Sequence, residues 1–280
     1  MRFLVFLILL YPSLLIGQDF SQRWQGYFSY NNITDLDESE NKVYAASENA
    51  YFIHDIATQT TETITSIQGL SGDPISKIYH SEAFGLTCVG YENGLLQIVM
   101  DNNQNVFTIV DIRDKVSISP ENKRINDFFE FEGILYISTD FGIAQYNLEN
   151  LEFEESFFIG NNGSQIQINQ ITIAEGKIYA ATSVEGIKTA DFNNPNLIDF
   201  QNWQTEYPGN WNGVLSFSNL VFGLRNNNTI NRLENGVASL FESIGSNVTG
   251  FNVSGNQLVV TAANQVLAYN TDLNLEAFFN

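Results

Sequence analysis

Short apolar runs separated by polar links recur along the whole chain, and one of them repeats. Residues 177–186 read Lys-Ile-Tyr-Ala-Ala-Thr-Ser-Val-Glu-Gly, with close copies at 42–50 and 134–142 and more distant ones at 85–94, 220–228 and 257–265. Anchored on Tyr179, the series runs Tyr44, Thr87, Tyr136, Tyr179, Phe222 and Val259. A self-similar unit of roughly forty residues built from strand-length runs is the signature of a four-stranded propeller blade. The pattern therefore predicts an all-β propeller of four-stranded antiparallel blades. Six repeats are visible, and seven blades are expected in the complete protein.

Within the first repeat, the runs predict strands at 32–36, 42–47, 50–56 and 60–66. In the fourth they fall at 168–174, 177–182, 186–192 and 202–207. Turn-type residues separate them, as in Glu175-Gly176 and Glu132-Gly133, where glycine supplies the positive φ of a tight hairpin. Small residues cluster in the second run of several repeats (Ala45-Ala46, Ala180-Ala181, Ala262-Ala263). Wedge-shaped blades crowd near an axis, so these alanines are expected to be packing positions. Residues 273–280 look like an outer strand. So do residues 19–30, and a strand there could close the ring and hide a sheet edge. With the sixth repeat already supplied, that segment has no blade left to complete. This is why a seventh blade is expected.

Residues 1–18 read as a secretory signal peptide: Arg2 is the positive start, 3–10 and 14–16 the apolar core, and Gly17 a small residue for cleavage. The propeller domain is then 19–280, with a last blade expected beyond it. No other segment approaches the apolar length of a membrane helix. Export to the periplasm or the outer-membrane cell surface is the expected location. The net charge is −20, from 32 acidic and 12 basic residues, which argues against nucleic acid and against anionic lipid as general partners.

Candidate chemistry is sparse. Cys88 is the one cysteine and lies in an apolar run, where it reads as a buried hydrophobe. Two histidines, His54 and His80, leave no HExxH or Cys-rich zinc pattern, and both read as satisfied strand-end residues. No nucleophile elbow, dinucleotide fingerprint or phosphate loop occurs. Residues 35–39 begin like a calcium loop, but Glu40 stands where the turn needs glycine and Ala46 where a closing Glu should be. Adjacent acids such as Glu154-Glu155 are expected by chance in so acidic a chain. No catalytic residue, metal ligand or cofactor is assigned, and a binding module is expected rather than an enzyme.

The longest irregular insertion, residues 111–124, carries Arg113, Lys115, Lys123 and Arg124, four of the 12 basic residues. On an acidic protein this is the expected contact site for an anionic partner. The plainer reading of the same loop is a solvated segment paired with Asp111, Asp114 and Glu121.

Several short motifs resemble those of one family. They are Trp24-x-x-Tyr27-x-Ser29-Tyr30-Asn31-Asn32, Val43-Tyr44-Ala45, Gln68-Gly69-Leu70-Ser71, Gly90-Tyr91-x-Asn93-Gly94, Ser138-Thr139-x-Phe141-Gly142-Ile143 and Tyr179-Ala180-Ala181-Thr182. In order and spacing they resemble the first propeller of PorZ proteins, components of the type IX secretion system of Bacteroidetes. The resemblance implies a non-catalytic scaffold working with other proteins of the attachment complex. That complex joins exported cargo to an anionic lipopolysaccharide at the outer membrane. Family members carry a second propeller and a β-sandwich that this sequence does not contain. The Gly-Leu-Ser and Ser/Thr-x-x-Gly-Ile elements also resemble ligand-sensing propellers of two-component regulators. A third expectation, a propeller hydrolase or lyase, would require carboxylates converging on the central channel.

Overall fold

The structure, a computed structural model, describes residues 32–279. Each repeat becomes a four-stranded antiparallel meander, and six such blades form a ring among the described residues, where seven are expected in the complete protein. The blades span residues 35–64, 75–109, 125–157, 168–207, 211–243 and 248–279. The inner strands, in blade order, are Asp35–Ser39, Ile75–Ser81, Ile125–Phe131, Ile168–Ala174, Trp211–Phe217 and Val248–Ser254. The first of these begins three residues later than the apolar pattern predicts. The expected polar link is itself strand, with Ser39 opposite Lys42 across a two-residue turn. Residues 1–31, which hold the expected signal peptide and N-terminal strand, lie outside the described residues.

Strand pairing corrects the repeat anchor in the second blade. Tyr44, Tyr136, Tyr179, Phe222 and Val259 stand opposite Asp37, Phe129, Thr172, Leu215 and Asn252 of their inner strands. The equivalent pair in blade two is Cys88 opposite Tyr79, one residue past Thr87. A one-residue slip exchanges the two faces of a strand. This is why Cys88, not Thr87, shares the apolar core with Phe128 of the next blade.

Because successive strands run antiparallel, one face of the propeller carries the turns between first and second and between third and fourth strands. We call it the hairpin face. The other, the linker face, carries the second-to-third turns and the links from blade to blade. On the linker face the hydroxyl ending the second strand ties its own turn. Thr139 Oγ1 donates to the Gly142 carbonyl at 2.8 Å, Thr182 Oγ1 to that of Gly186 at 2.7 Å, and Ser47 Oγ to that of Ala50 at 3.0 Å. The Thr-x-x-Gly of residues 139–142 is this turn; blade four lengthens it by one residue and blade one closes it on Ala50.

Among the described residues the core consists of five apolar clusters, each formed between two successive blades. One inner-strand residue per interface points back into the preceding blade: Ile78, Phe128, Ile171, Val214 and Phe251, all buried. Opposite them the second strands contribute Tyr44, Cys88, Tyr136, Tyr179 and Phe222. The wedge is tightest where these meet. A Cβ at Gly90 would lie 2.7 Å from Ile125 Cγ2 and 2.9 Å from Phe128 Cζ. Ala45, Ala46, Ala180 and Ala181 are fully buried, as the wedge predicts. In blade six the matching Ala262 is half-buried and Ala263 exposed. Blades six and one meet through Ser254 Oγ, which donates to Glu38 Oε1 at 2.6 Å. Among the described residues no apolar cluster joins them.

Candidate functional site

The inner strands surround a central cavity of about 470 Å³, with a second of about 220 Å³ at its linker-face mouth. One register position on the six inner strands holds Asp35, Lys77, Asp127, Gln170, Gly213 and Gly250. Lys77 Nζ sits 3.1 Å from Asp35 Oδ1 and 3.1 Å from Asp127 Oδ1, tying blade two to both neighbours. Asp35 Oδ2 also accepts the Ile78 amide at 2.9 Å. Burial works against charge on Lys77, but Asp127 and Asp35 outweigh it and hold its pKa above the ordinary lysine value. Burial pushes Asp127 up, and Lys77 pulls it back. An ion triad of this kind is stable only while all three members remain.

On the opposite side Gln170 performs the equivalent closure with an amide. Its Oε1 accepts the Val214 amide at 3.0 Å, and its Nε2 donates to the Phe251 carbonyl at 3.2 Å. Gly213 permits this reach, since a Cβ there would lie 2.7 Å from Gln170 Oε1. Asn126 and Asn169, each at the start of an inner strand, donate to the next blade's first-strand carbonyls, Ile168 at 2.9 Å and Trp211 at 2.7 Å. The mouth is thus lined by amides and a compensated triad. Carboxylates do converge on the channel, as a propeller hydrolase or lyase requires. Two of them, however, are spent on Lys77.

Deeper in, Asp37 accepts the His80 amide at 2.5 Å, and burial raises its pKa from 3.8 to about 6. The His80 ring stacks on Tyr44 with centroids 4.2 Å apart and meets Thr87 Oγ1 at 3.2 Å. Burial lowers the pKa of His80. His54 Nδ1 meets Thr61 Oγ1 at 2.9 Å. Cys88 is buried and free, and burial pushes its thiol well up, as befits a core residue. Residues 35–39 lie on a strand and Asp35 binds Lys77, so they form no calcium loop. No group of three His, Cys, Asp or Glu suited to a metal occurs among the described residues.

The basic insertion lies on the linker face, anchored through Ile112 and Ile118 in the apolar core. Its four cations are not equivalent. Arg113 Nε pairs with Asp114 at 2.9 Å, while Lys115 Nζ stands 5.7 Å from the centre of the Phe158 ring. Lys123 is buried and donates to the Arg113 carbonyl at 2.5 Å, and Arg124 pairs with Glu92. Asp114 is the one carboxylate of Asp111, Asp114 and Glu121 found in an ion pair with a loop cation. Glu92, from the neighbouring turn, is a partner that loop composition could not reveal.

Residues 43–204, more than half of the chain, match the family model described as the N-terminal β-propeller domain of PorZ of the type IX secretion system. The chain belongs to that family. Its fold is similar to the solved structure of PorZ from Porphyromonas gingivalis, described as an essential bacterial surface component of the type-IX secretion system. The TM-score is 0.73 at 14% identity over 88% of this chain. This chain spans 32% of that protein's length. A computationally designed protein, Ika8, is also similar, with TM-score 0.55, 14% identity and 88% and 86% of the two chains covered. No curated protein matches the sequence. The family is that of the propeller domain of a secretion component. Among the described residues no helix is long and apolar enough to cross a membrane.

Proposed function

We propose that this propeller is a non-catalytic binding and scaffold module of a PorZ-like type IX secretion component. In this reading it supports attachment of cargo to anionic lipopolysaccharide at the outer membrane, with attachment-complex proteins as its partners. The family match carries the reading. The insertion at residues 111–124 supports it, because it places Arg113, Lys115 and Arg124 at the surface of an otherwise acidic protein. The channel supports a non-catalytic role, because Lys77 neutralises carboxylates that an acid–base pair would need. Residues 1–18 act in this proposal as the export signal.

The experiment is charge reversal of Arg113, Lys115 and Arg124 to Glu, leaving the buried Lys123 intact, followed by pull-down of attachment-complex proteins and of anionic lipopolysaccharide. Capture of at least one class is expected to fall while the melting temperature stays unchanged. Unaltered capture of both would remove the insertion from the binding surface.

A further inference from the structure

Lys188 is a charged side chain that the scaffold role does not use, and it is only 3% exposed. It lies on the third strand of blade four, Ile187–Asp191, opposite Ala180 and Thr205. Its ammonium nitrogen has two partners of different chemistry. It pairs with Glu185 Oε2 at 2.9 Å and donates to Asn161 Oδ1 at 3.3 Å. Asn161 opens the short turn Asn161–Gly163 in the link from blade three. Gly160 keeps that turn tight, because a Cβ there would lie 2.4 Å from Ser164 Oγ. Glu185 Oε2 also accepts the backbone amide of Asn161 at 3.0 Å. One carboxylate therefore holds both the segment that carries a side-chain amide and the side chain that carries an amine. Among the described residues Lys188 is the lysine bonded to both an amide and a carboxylate; Lys77, by contrast, pairs with two carboxylates.

A buried amine, a carbonyl within its reach and a proton carrier touching the amine are the groups that amide exchange requires. We propose that Lys188 and Asn161 join in an intramolecular isopeptide bond. Glu185 takes one proton from the Lys188 ammonium, and the freed amine attacks Cγ of Asn161. The Nζ–Cγ bond forms and the Cγ–Nδ2 bond breaks. The proton held by Glu185 and one shed by Nζ pass to the leaving nitrogen, which departs as ammonium. Glu185 ends as the carboxylate it began as, and no oxidant or cofactor is consumed. A cavity of about 500 Å³, lined by Asn161 and Lys188 with Phe200 and Trp203, gives the ammonium a way out. The bond closes a loop from residue 161 to residue 188 and fixes the link between blades three and four. It restricts the unfolded chain as a disulfide does. The inference rests on neither the family match nor the basic insertion.

The test is mass spectrometry of the full chain after denaturation and trypsin digestion. Trypsin cuts after Arg124, Lys177, Lys188 and Arg225. The isopeptide blocks the cut at Lys188, so the expected product is residues 125–177 joined to residues 178–225, lighter than the two peptides by one ammonia molecule. Asn161→Ala should give fragments 125–177, 178–188 and 189–225 as separate linear peptides. Glu185→Gln, shown to be folded by circular dichroism, should slow formation of the branched product about a hundredfold or more, the usual worth of a positioned acid–base group. Linear peptides alone from the parent chain overturn the proposal. So does an ammonia loss confined to an Asn-Gly pair such as Asn162-Gly163, which marks a succinimide instead. Branching in Glu185→Gln at the parent's rate overturns the role given to Glu185.

Discussion

The interface between blades three and four and the seam between blades six and one are built on the same register, yet they pack differently. In the first, Ile171 of the inner strand is 2% exposed against Tyr136, itself 4% exposed. In the second, the equivalent of Ile171 is Leu36, 58% exposed, and the equivalent of Tyr136 is Val259, half-buried. Val253 is 42% exposed beside it. An aliphatic residue is present on both sides of the seam, so composition is not the difference. The difference is volume. A valine on the outgoing face does not reach what a tyrosine reaches, and the alanines of blade six have no wedge to fill. Blade packing therefore depends on the pair of facing residues, and among the described residues the seam is the interface without an apolar cluster.

The sharpest way to break this comparison is to remove the charge that ties the well-packed side together. Lys77→Met leaves Asp35 and Asp127 facing each other in a buried site, a change that costs about 3–5 kcal/mol. Chemical denaturation should show that loss. A cost under about 1 kcal/mol would mean that water already solvates the triad.

A paired substitution sharpens the contrast itself. Ile171→Ala should destabilise by about 2–4 kcal/mol, through lost burial plus the cavity left behind. Leu36→Ala, at the same register position, should cost under about 1 kcal/mol because most of that side chain already meets water. Equal losses in the two variants would show that the seam is filled in solution.

The smallest effect concerns pH. Asp37 on the seam-side inner strand has its pKa raised from 3.8 to about 6, so the folded state binds the extra proton in that window. Its contribution to stability is therefore greatest below pH 4 and falls as pH rises to 6. Asp37→Asn retains an acceptor for the His80 amide and removes the buried charge. It should be more stable than the parent at pH 7.5 by no more than about 2 kcal/mol, with the gain gone near pH 4. A constant difference across that range would assign the effect to something other than this carboxyl group.

Much of the architecture was legible in the chain, because blades repeat and repetition leaves a trace at each Tyr-Ala-Ala or Ser/Thr-x-x-Gly element. The strands of repeat four were predicted almost to the residue, since Lys177–Thr182 is a short run buried from Ile178 onward and a Gly-containing hairpin precedes it. Blade two was read one residue out, because Thr87 and Cys88 are both compatible with an apolar strand and only the partner strand sets the register. The insertion at 111–124 was found by its irregularity, but its sequence did not separate the buried Lys123 from the half-buried Arg113, Lys115 and Arg124.

By itself, then, the sequence determined the fold class, the number of visible blades, the wedge alanines and the absence of familiar catalytic patterns. These are consequences of local periodicity and residue type, which the chain carries position by position. Tertiary structure alone decided what meets across the ring. Asp35, Lys77 and Asp127 lie in three different repeats and form one triad; Gln170 reaches blades five and six over two glycines. Such contacts depend on how the blades are arranged about the axis, which brings equivalent positions of separate repeats together although their side chains do not repeat.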